Sequence, residues 1–204
     1  MLSRVSKAPE VRKQELIGIA LDLFKERGYE NVSVRDILKK VNGHPGMFYY
    51  YFESKQEIYN EAMKQMIKSE VDKRKIILQD ESKSIINKYE GLLKSIEDGI
   101  RSYYIAFNNP ENISYETTVL LCFLTAFAEP VSKFLLDAKN EGLIPEESGL
   151  NEDTAYPMAL FLIHGCYGLV HVNNDSGSAD NVKYFEPFIC NFLKINIENL
   201  KQKI

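Results

Sequence analysis

The apolar positions of this chain recur at spacings of three and four residues along almost its whole length, a period typical of helices rather than strands. In the first such segment, Leu16, Ala20, Leu23 and Phe24 fall on one face, and Gly28 follows as a residue that tolerates positive φ at a helix end. The pattern therefore predicts a helix over about residues 9–27.

Two short helices are predicted next. Ser33 stands three residues before Asp36, a spacing at which the two side chains can cap the start of a helix over "VRDILKKV". Residues 42–44, "NGH", favour a turn, and Pro45 has the φ angle required in a first helical turn. The third predicted helix therefore runs over about residues 45–51.

The rest of the chain also has helical periodicity, and the predicted fold class is all-α. Ser54 and Glu57 form a second capping-box pattern, so a fourth helix is expected to begin near residue 55. The other predicted segments are 55–79, 84–108, a helix over 114–142 that bends or restarts near Pro130, 152–172 and 181–201.

The third predicted helix holds more aromatic rings than one buried face can use. Phe48 and Phe52 lie four residues apart and are expected to face inward. A turn of about 100° per residue then directs Tyr49, Tyr50 and Tyr51 around the other sides, where phenols can reach phosphate oxygens or base edges. A long helix followed by helix, turn and short helix is also the layout of a helix-turn-helix unit.

Charge changes this picture only slightly. The net charge is −4, but residues 1–57 hold ten Lys and Arg against eight Asp and Glu, whereas residues 58–204 hold fifteen against twenty-one. The first segment is thus net +2 and the second net −6, which argues against polyanion binding by the whole surface.

The chain has three cysteines and no CxxC pair, and no apolar run long enough to span a membrane, so we expect a cytoplasmic protein with inert thiols.

The stretch "VSVRDILKKVNGHPGMFYYYFESKQEIY", after "LFKERGYE", resembles the amino-terminal DNA-binding domain of the TetR family of bacterial transcriptional repressors. The matching features are the Gly-Tyr pair at 28 and 29, the aromatic run ending at Phe52 and the Ser-Lys pair at 54 and 55. The resemblance implies a helix-turn-helix DNA-binding domain over residues 1–54 and a helical ligand-binding and dimerisation domain over residues 55–204.

The resemblance also implies which residues contact DNA. Arg35 lies inside the second helix, residues 44–47 open the recognition helix, the tyrosines contact phosphates or bases, and the lysine at the start of the fourth helix holds the backbone. Because Pro45, Gly46 and Met47 offer van der Waals contact, base contacts could include thymine methyls rather than bidentate hydrogen bonds. The predicted DNA-binding residues are Ser33, Arg35, His44, Pro45, Gly46, Met47, Tyr49, Tyr50, Tyr51 and Lys55.

For three of these residues the sequence leaves open a structural role in place of DNA contact. Tyr50 could be packed against the other helices rather than exposed. Arg35 could pair with Asp36 or another nearby acid. His44, which precedes a helix, could only cap its free amides.

Aromatic side chains of the larger segment are predicted to line a ligand pocket, with core packing as the alternative for each of them. The predicted ligand-binding residues are Tyr103, Tyr104, Phe107, Phe123, Phe127, His164 and Tyr167. His164 and His171 are seven residues apart, but no acid or cysteine stands nearby at ligand spacing, so the sequence predicts neither a metal nor a cofactor.

Residues 156–172, "YPMALFLIHGCYGLVHV", are apolar nearly all round, which predicts burial on two sides. Gly165 and Gly168 permit close approach of another helix. The hypothesis is a homodimer through 152–172 and 181–201, as the resemblance also implies.

The sequence thus favours a repressor that binds a palindromic DNA operator as a homodimer and is released by a small hydrophobic effector. An all-helical enzyme acting on a hydrophobic small molecule is the alternative, although no GxSxG, HExxH, phosphate loop or dinucleotide fingerprint is present. A helical adaptor that binds a protein through residues 45–52 would leave Arg35 and Lys55 without a use.

Overall fold

The computed structural model describes residues 8–107, 121, 124–170 and 179–196. Every regular element in these ranges is a helix, which confirms the predicted fold class. None of the helices in the described ranges is both long and apolar enough to cross a lipid bilayer. The chain forms two compact units, one of Met1–Ile67 with Ser102–Glu116 and the other of Lys68–Arg101 with Thr117–Ile204.

Helix α1 (Pro9–Arg27) has the predicted bounds. Pro9 stands in its first turn, where a missing N–H costs no hydrogen bond. Gly28 ends the helix at φ 75°, and its N–H donates to the carbonyl of Phe24 at 2.8 Å. The buried face is that of the predicted apolar stripe, so the helix packs as its periodicity indicates.

Helices α2 (Val34–Lys40) and α3 (Pro45–Tyr51) complete the helix-turn-helix. The Ser33 hydroxyl accepts from the N–H of Asp36, whose carboxylate accepts from the N–H of Ser33, so the predicted capping box is confirmed. In the turn, Asn42 adopts φ 50°, a left-handed conformation that asparagine tolerates better than most residues. Phe48 on α3 and Phe52 just after it are buried, as predicted.

Helix α4 (Lys55–Gln79) begins at the expected residue, and helix α5 (Ile85–Phe107) begins one residue later than predicted. The Ser54 hydroxyl accepts from the N–H of Glu57 at 3.2 Å, while the Glu57 carboxylate accepts from the N–H of Glu53 at 2.6 Å. Both units contain parts of α4 and α5, because the units divide between Ile67 and Lys68 and between Arg101 and Ser102. The division into domains over 1–54 and 55–204 stays a prediction.

The second unit has an apolar core built by α6 (Ala128–Asn140), α7 (Glu152–Val170) and α8 (Phe185–Leu193) together with parts of α4 and α5. Helix α6 starts at Ala128, so Pro130 falls in a first turn and the predicted restart is confirmed. Residues 108, 114–120, 122–123, 171–172 and 197–201 of the predicted helices lie outside the described residues.

The prediction of one helix over 181–201 is wrong in two places. Residues 179–184 form a 3-10 helix, so α8 begins only at Phe185. The helix then ends at Leu193, where Lys194 adopts φ 56° and the N–H of Ile195 donates to the carbonyl of Cys190 at 2.8 Å. This 6→1 hydrogen bond is that of a Schellman motif, and it turns Ile195 back against the apolar core.

Candidate nucleic-acid interface

Helix α3 has two chemically different sides. Phe48 and Phe52 are 0% and 1% exposed, whereas Tyr49 and Tyr50 are 61% and 72% exposed. The structural alternative for Tyr50, burial among the helices, is therefore wrong. Tyr51 is half-buried and meets Tyr50 edge to face, with 4.8 Å between ring centroids. The surplus rings thus form an outward aromatic face.

The residues that precede these tyrosines form a largely apolar surface at the start of α3. His44, Pro45 and Gly46 are exposed. His44 is the N-cap residue of α3 in extended conformation, but its side chain makes no capping hydrogen bond, so the capping alternative is not what the structure shows. Its imidazole remains at the exposed start of the helix.

Met47 is half-buried and its terminal methyl lies back over the turn. A Cβ placed on Gly43 would lie 2.3 Å from Met47 Cε and 2.9 Å from Leu38 Cδ2. The absence of a side chain at Gly43 therefore makes room for Met47. In this rotamer the methyl fills the turn and does not extend outward as a contact to a thymine methyl would require.

Arg35 on α2 and Ser33, the N-cap residue of α2, differ in the contacts that their side chains make. Arg35 is exposed, and within the described part of the chain it has no ion-pair partner, so the alternative of a pair with Asp36 is not what the structure shows. The Ser33 hydroxyl, in contrast, donates to the Asp36 carboxylate and accepts from the Asp36 N–H. The hydrogen bonds that the Asp36 carboxylate accepts from the Ser33 hydroxyl and from the Ser33 N–H hold the pKa of Asp36 below its ordinary value of 3.8.

Lys55 occupies the first position of α4 and is half-buried. Its Nζ lies 3.9 Å from the centroid of the Tyr29 ring, within cation–π distance. Burial lowers the pKa of Lys55, and nearby Glu30 opposes this change. The sequence pattern marked Tyr29 only as part of a helix stop, so its contact with a candidate DNA-binding lysine is a finding of the structure.

The predicted ligand-binding residues are only partly described. Tyr103 is half-buried, and its hydroxyl donates to Met63 Sδ at 4.0 Å. Phe127 is buried in the apolar core of the second unit, as its core-packing alternative requires. His164 and Tyr167 are half-buried on α7. The side chains of Tyr104, Phe107 and Phe123 lie outside the described residues, so the ligand site stays a prediction.

Two thiols have an environment typical of inert cysteines. Burial raises the pKa of Cys166 to about 12. Burial and the adjacent Glu186 raise the pKa of Cys190. Cys122 lies outside the described residues. In the described ranges, no three His, Cys, Asp or Glu side chains converge as ligands of a metal ion would.

Three helices, the third short, with an exposed aromatic face and lying between Arg35 and Lys55 in the sequence, form the helix-turn-helix arrangement that is typical of DNA-binding proteins. Comparison with known proteins shows a similarity over the same part of the chain. Residues 16–62 match the family model described as "Bacterial regulatory proteins, tetR family". This segment of the chain is thus similar to the corresponding segment of the tetR family.

Individual relatives are similar over a longer part of the chain. The chain is 34% identical over 109 residues to the biofilm operon icaADBC HTH-type negative transcriptional regulator IcaR of Staphylococcus aureus (strain Newman), covering 50% of this chain and 57% of that protein. IcaR of Staphylococcus epidermidis is 31% identical over 110 residues, 51% of this chain and 58% of the relative. The match thus spans little more than half the length of these relatives, which are regulators rather than enzymes.

The likeness of fold extends further along the chain. The crystal structure of a transcriptional regulator from Cytophaga hutchinsonii superposes with a TM-score of 0.70 and 14% identity, covering 89% of this chain and 94% of that one. At this identity the likeness shows the fold alone. It supports an amino-terminal helix-turn-helix followed by a larger helical part.

Proposed function

We propose that this chain is a transcriptional repressor that binds a palindromic DNA operator as a homodimer and leaves it when a small hydrophobic molecule binds. The observation that carries the proposal is the division of α3 into a buried phenylalanine side and an exposed tyrosine side. A recognition helix needs both, because the buried side sets its angle and the free side enters the major groove.

The exposed residues separate into phosphate contacts and base contacts. Arg35 on α2 and Lys55 at the start of α4 supply positive charge, while the hydroxyls of Tyr49 and Tyr50 donate to phosphate oxygens or base edges. His44 supplies directional hydrogen bonds at the start of the helix. Ser33 contacts phosphate only if its hydroxyl proton leaves Asp36, so its main contribution is the capping of α2.

The apolar surface of α7 and α8 supports a homodimer. Phe161 is 56% exposed and stacks on Phe192 with ring centroids 4.8 Å apart. Gly168 has open space where a Cβ would stand, whereas a Cβ on Gly165 would meet the Phe188 ring at 2.6 Å. Gly165 therefore admits α8 of the same chain, and the face around Gly168 and Phe161 is available to a second copy.

Dimerisation and effector response complete the proposal. Two recognition helices about 34 Å apart reach half-sites one helical turn apart, which is why a two-fold dimer requires a palindromic operator. The negative regulator among the relatives supports repression. An effector that lowers operator affinity about a hundredfold must bind the released state better by roughly 2.7 kcal/mol. Such a regulator works in the cytoplasm, where its operator is.

The test is equilibrium binding of the full chain to a labelled fragment of its own promoter region. We expect specific, salt-dependent binding, weakened about tenfold or more by Tyr49→Phe, which removes one hydroxyl that donates to DNA. Lys55→Ala should lower the slope of log K against log salt by about 0.9, the value for one phosphate contact.

Lys133→Ala is the matched control, since it removes the same charge from an exposed position on α6 in the second unit. Lys133→Ala should leave the affinity for DNA and the slope of log K against log salt unchanged. The proposal fails if the wild type gives no sequence-specific binding, or if Lys55→Ala and Tyr49→Phe behave as the control does.

A further inference from the structure

An aromatic ring from the end of α1 lies beneath the lysine that opens α4. Lys55 Nζ is 3.9 Å from the centroid of Tyr29, although the two residues are far apart in sequence. Within the described residues Lys55 forms no ion pair, so the ring is its close partner. An ammonium on the face of a ring keeps its charge and its other donors for an anion.

The ring of Tyr29 is itself held by two aromatic neighbours. Its centroid lies 4.5 Å from that of Tyr59, at an interplanar angle of 64°. It lies 5.7 Å from that of Phe24, at an angle of 50°. Because Phe24 and Tyr59 are 0% exposed, these contacts join the ring to the core of the first unit.

Hydrogen bonds fix the outer edge of the same ring. The Tyr29 hydroxyl donates to Gln56 Oε1 at 3.1 Å, and Gln56 Nε2 donates to Asn60 Oδ1 at 2.9 Å. Gln56 and Asn60 lie in the first turns of α4, next to Lys55 itself. The ring is thus locked to the helix whose first residue it supports.

We propose that Tyr29 is a positioning residue for DNA binding, whose ring holds the Lys55 ammonium at the start of α4 where it meets a backbone phosphate. This inference rests on the proposed function. A lysine that is already immobilised loses less rotamer freedom when it binds, so the ring contributes to affinity without contacting DNA. The lowered pKa of Lys55 agrees with an ammonium partly withdrawn from water.

The first experiment measures the affinity of full-length variants for a double-stranded fragment selected from a random pool by the wild-type protein. Tyr29→Leu, which removes the ring, should weaken binding about three- to tenfold. Tyr29→Phe keeps the ring and should bind within about twofold of wild type. The salt slope should stay unchanged in Tyr29→Leu, because the charge of Lys55 is still present.

A double-mutant cycle separates positioning from a structural effect. If Tyr29 acts through Lys55, Tyr29→Leu adds nothing to the loss already caused by Lys55→Ala. If Tyr29 only stabilises the domain, its substitution weakens binding equally with or without Lys55. That additive result would overturn the inference while the wild type still binds DNA, which distinguishes it from failure of the proposed function.

A second measurement needs no DNA. In protein labelled with 13C at lysine Cε, the Lys55 resonance, assigned by its loss in Lys55→Ala, should show ring-current shielding that Tyr29→Phe keeps and Tyr29→Leu removes. Lys13 is the matched control, since its Nζ lies 5.6 Å from the Phe52 ring and should keep its shift in both Tyr29 variants. A Lys55 shift identical in wild type and Tyr29→Leu would overturn the inference.

Discussion

At the residue scale, the start of α2 depends on one hydroxyl and one carboxylate. The Ser33 hydroxyl accepts from the Asp36 N–H at 3.2 Å, and the Asp36 carboxylate accepts from the Ser33 N–H at 2.9 Å. The Ser33 N–H, which precedes the helix, is thereby satisfied, and the Asp36 N–H, which also donates to the carbonyl of Ser33 at 3.0 Å, gains a second acceptor. Helix α2, which packs against α3, therefore owes its starting point to these two side chains.

Replacement of Ser33 by alanine should lower the free energy of unfolding by about 1 kcal/mol, the usual cost of removing an N-cap side chain. Ser33→Thr keeps the hydroxyl and should recover most of the loss. Urea unfolding of the three proteins measures this. Equal stability of Ser33→Ala and wild type would show that the cap contributes nothing.

Asp36 should make stability depend on pH in a definite direction. Its pKa in the folded protein is below 3.8, first because of the Ser33 side chain and then because of the Ser33 N–H. A lowered pKa gives stabilisation that is present above pH 3.8 and is lost as pH falls through the folded-state value.

The advantage of wild type over Asp36→Asn, which cannot ionise, should therefore be present at about pH 6 and shrink at about pH 2.5. Unfolding by urea at both pH values tests this. A difference that does not change with pH would contradict it.

At the element scale, two glycines are required by their neighbours rather than by backbone conformation. Gly43 leaves space that Met47 and Leu38 occupy. Gly99 on α5 lies under the Glu70–Arg74 ion pair of α4, where an added Cβ would be 2.4 Å from Arg74 Nη2. In both cases the missing side chain allows two helical segments to approach.

Gly43→Ala should lower the free energy of unfolding by about 1–3 kcal/mol, since the new methyl overlaps Met47 and the buried Leu38. The loss should be smaller when Gly43→Ala is introduced into Met47→Ala, because one of the two overlaps is then gone. Urea unfolding of wild type, the two single variants and the double variant gives the coupling free energy between positions 43 and 47. An identical loss in both backgrounds would show that Met47 does not fill the turn.

Two glycine substitutions on α5 should differ in their effect on stability. Gly91→Ala places its Cβ 3.4 Å from Ile77 Cγ2, an ordinary contact, and should gain about 0.5–1 kcal/mol from helix propensity. Gly99→Ala should gain less than Gly91→Ala, because the ends of the Arg74 and Glu70 side chains must move away from the new methyl. Thermal and urea unfolding measure both, and an equal or larger gain for Gly99→Ala would refute the packing argument.

At the scale of the whole molecule, the proposed function requires two copies of the chain. Helix α7 buries Ala155, Ala159 and Leu162 within its own unit, while Tyr156 and Phe161 on the same helix are exposed. A helix that is apolar on both sides needs a second cover for the side its own chain leaves bare.

Phe161→Lys should weaken the homodimer at least thirtyfold, roughly the 2 kcal/mol of a central aromatic contact, and leave the monomer folded. Sedimentation equilibrium gives the dissociation constant. Ile76→Lys is the matched control, because Ile76 is 69% exposed on α4 and receives the same new charge. If both variants stay dimeric with equal affinity, the interface does not include Phe161.

Much of the fold was determined by the sequence alone, because helices obey local rules. Apolar residues three and four apart, a capping pair such as Ser33 and Asp36, and Pro45 in a first turn all act within a few residues of the element they define. The same local geometry divided α3 into phenylalanine and tyrosine sides, since a step of about 100° per residue follows from the helix itself.

The end of α8 shows where local rules failed. No glycine or proline marks its stop, and the helix ends at Leu193 because Ile195 turns back to the apolar core. The 3-10 stretch before Phe185 also lacked a local signal. A boundary set by burial of one side chain depends on the rest of the unit, which periodicity does not contain.

Tertiary structure alone decided the contacts between residues distant in sequence. The placement of Lys55 on Tyr29 joins the start of α4 to the end of α1, and the need for Gly99 arises from an ion pair on another helix. Whether Met47 points outward or fills the turn likewise depends on Gly43 and Leu38 together. Such contacts depend on how helices pack, and packing is a property of the assembled unit rather than of any one segment.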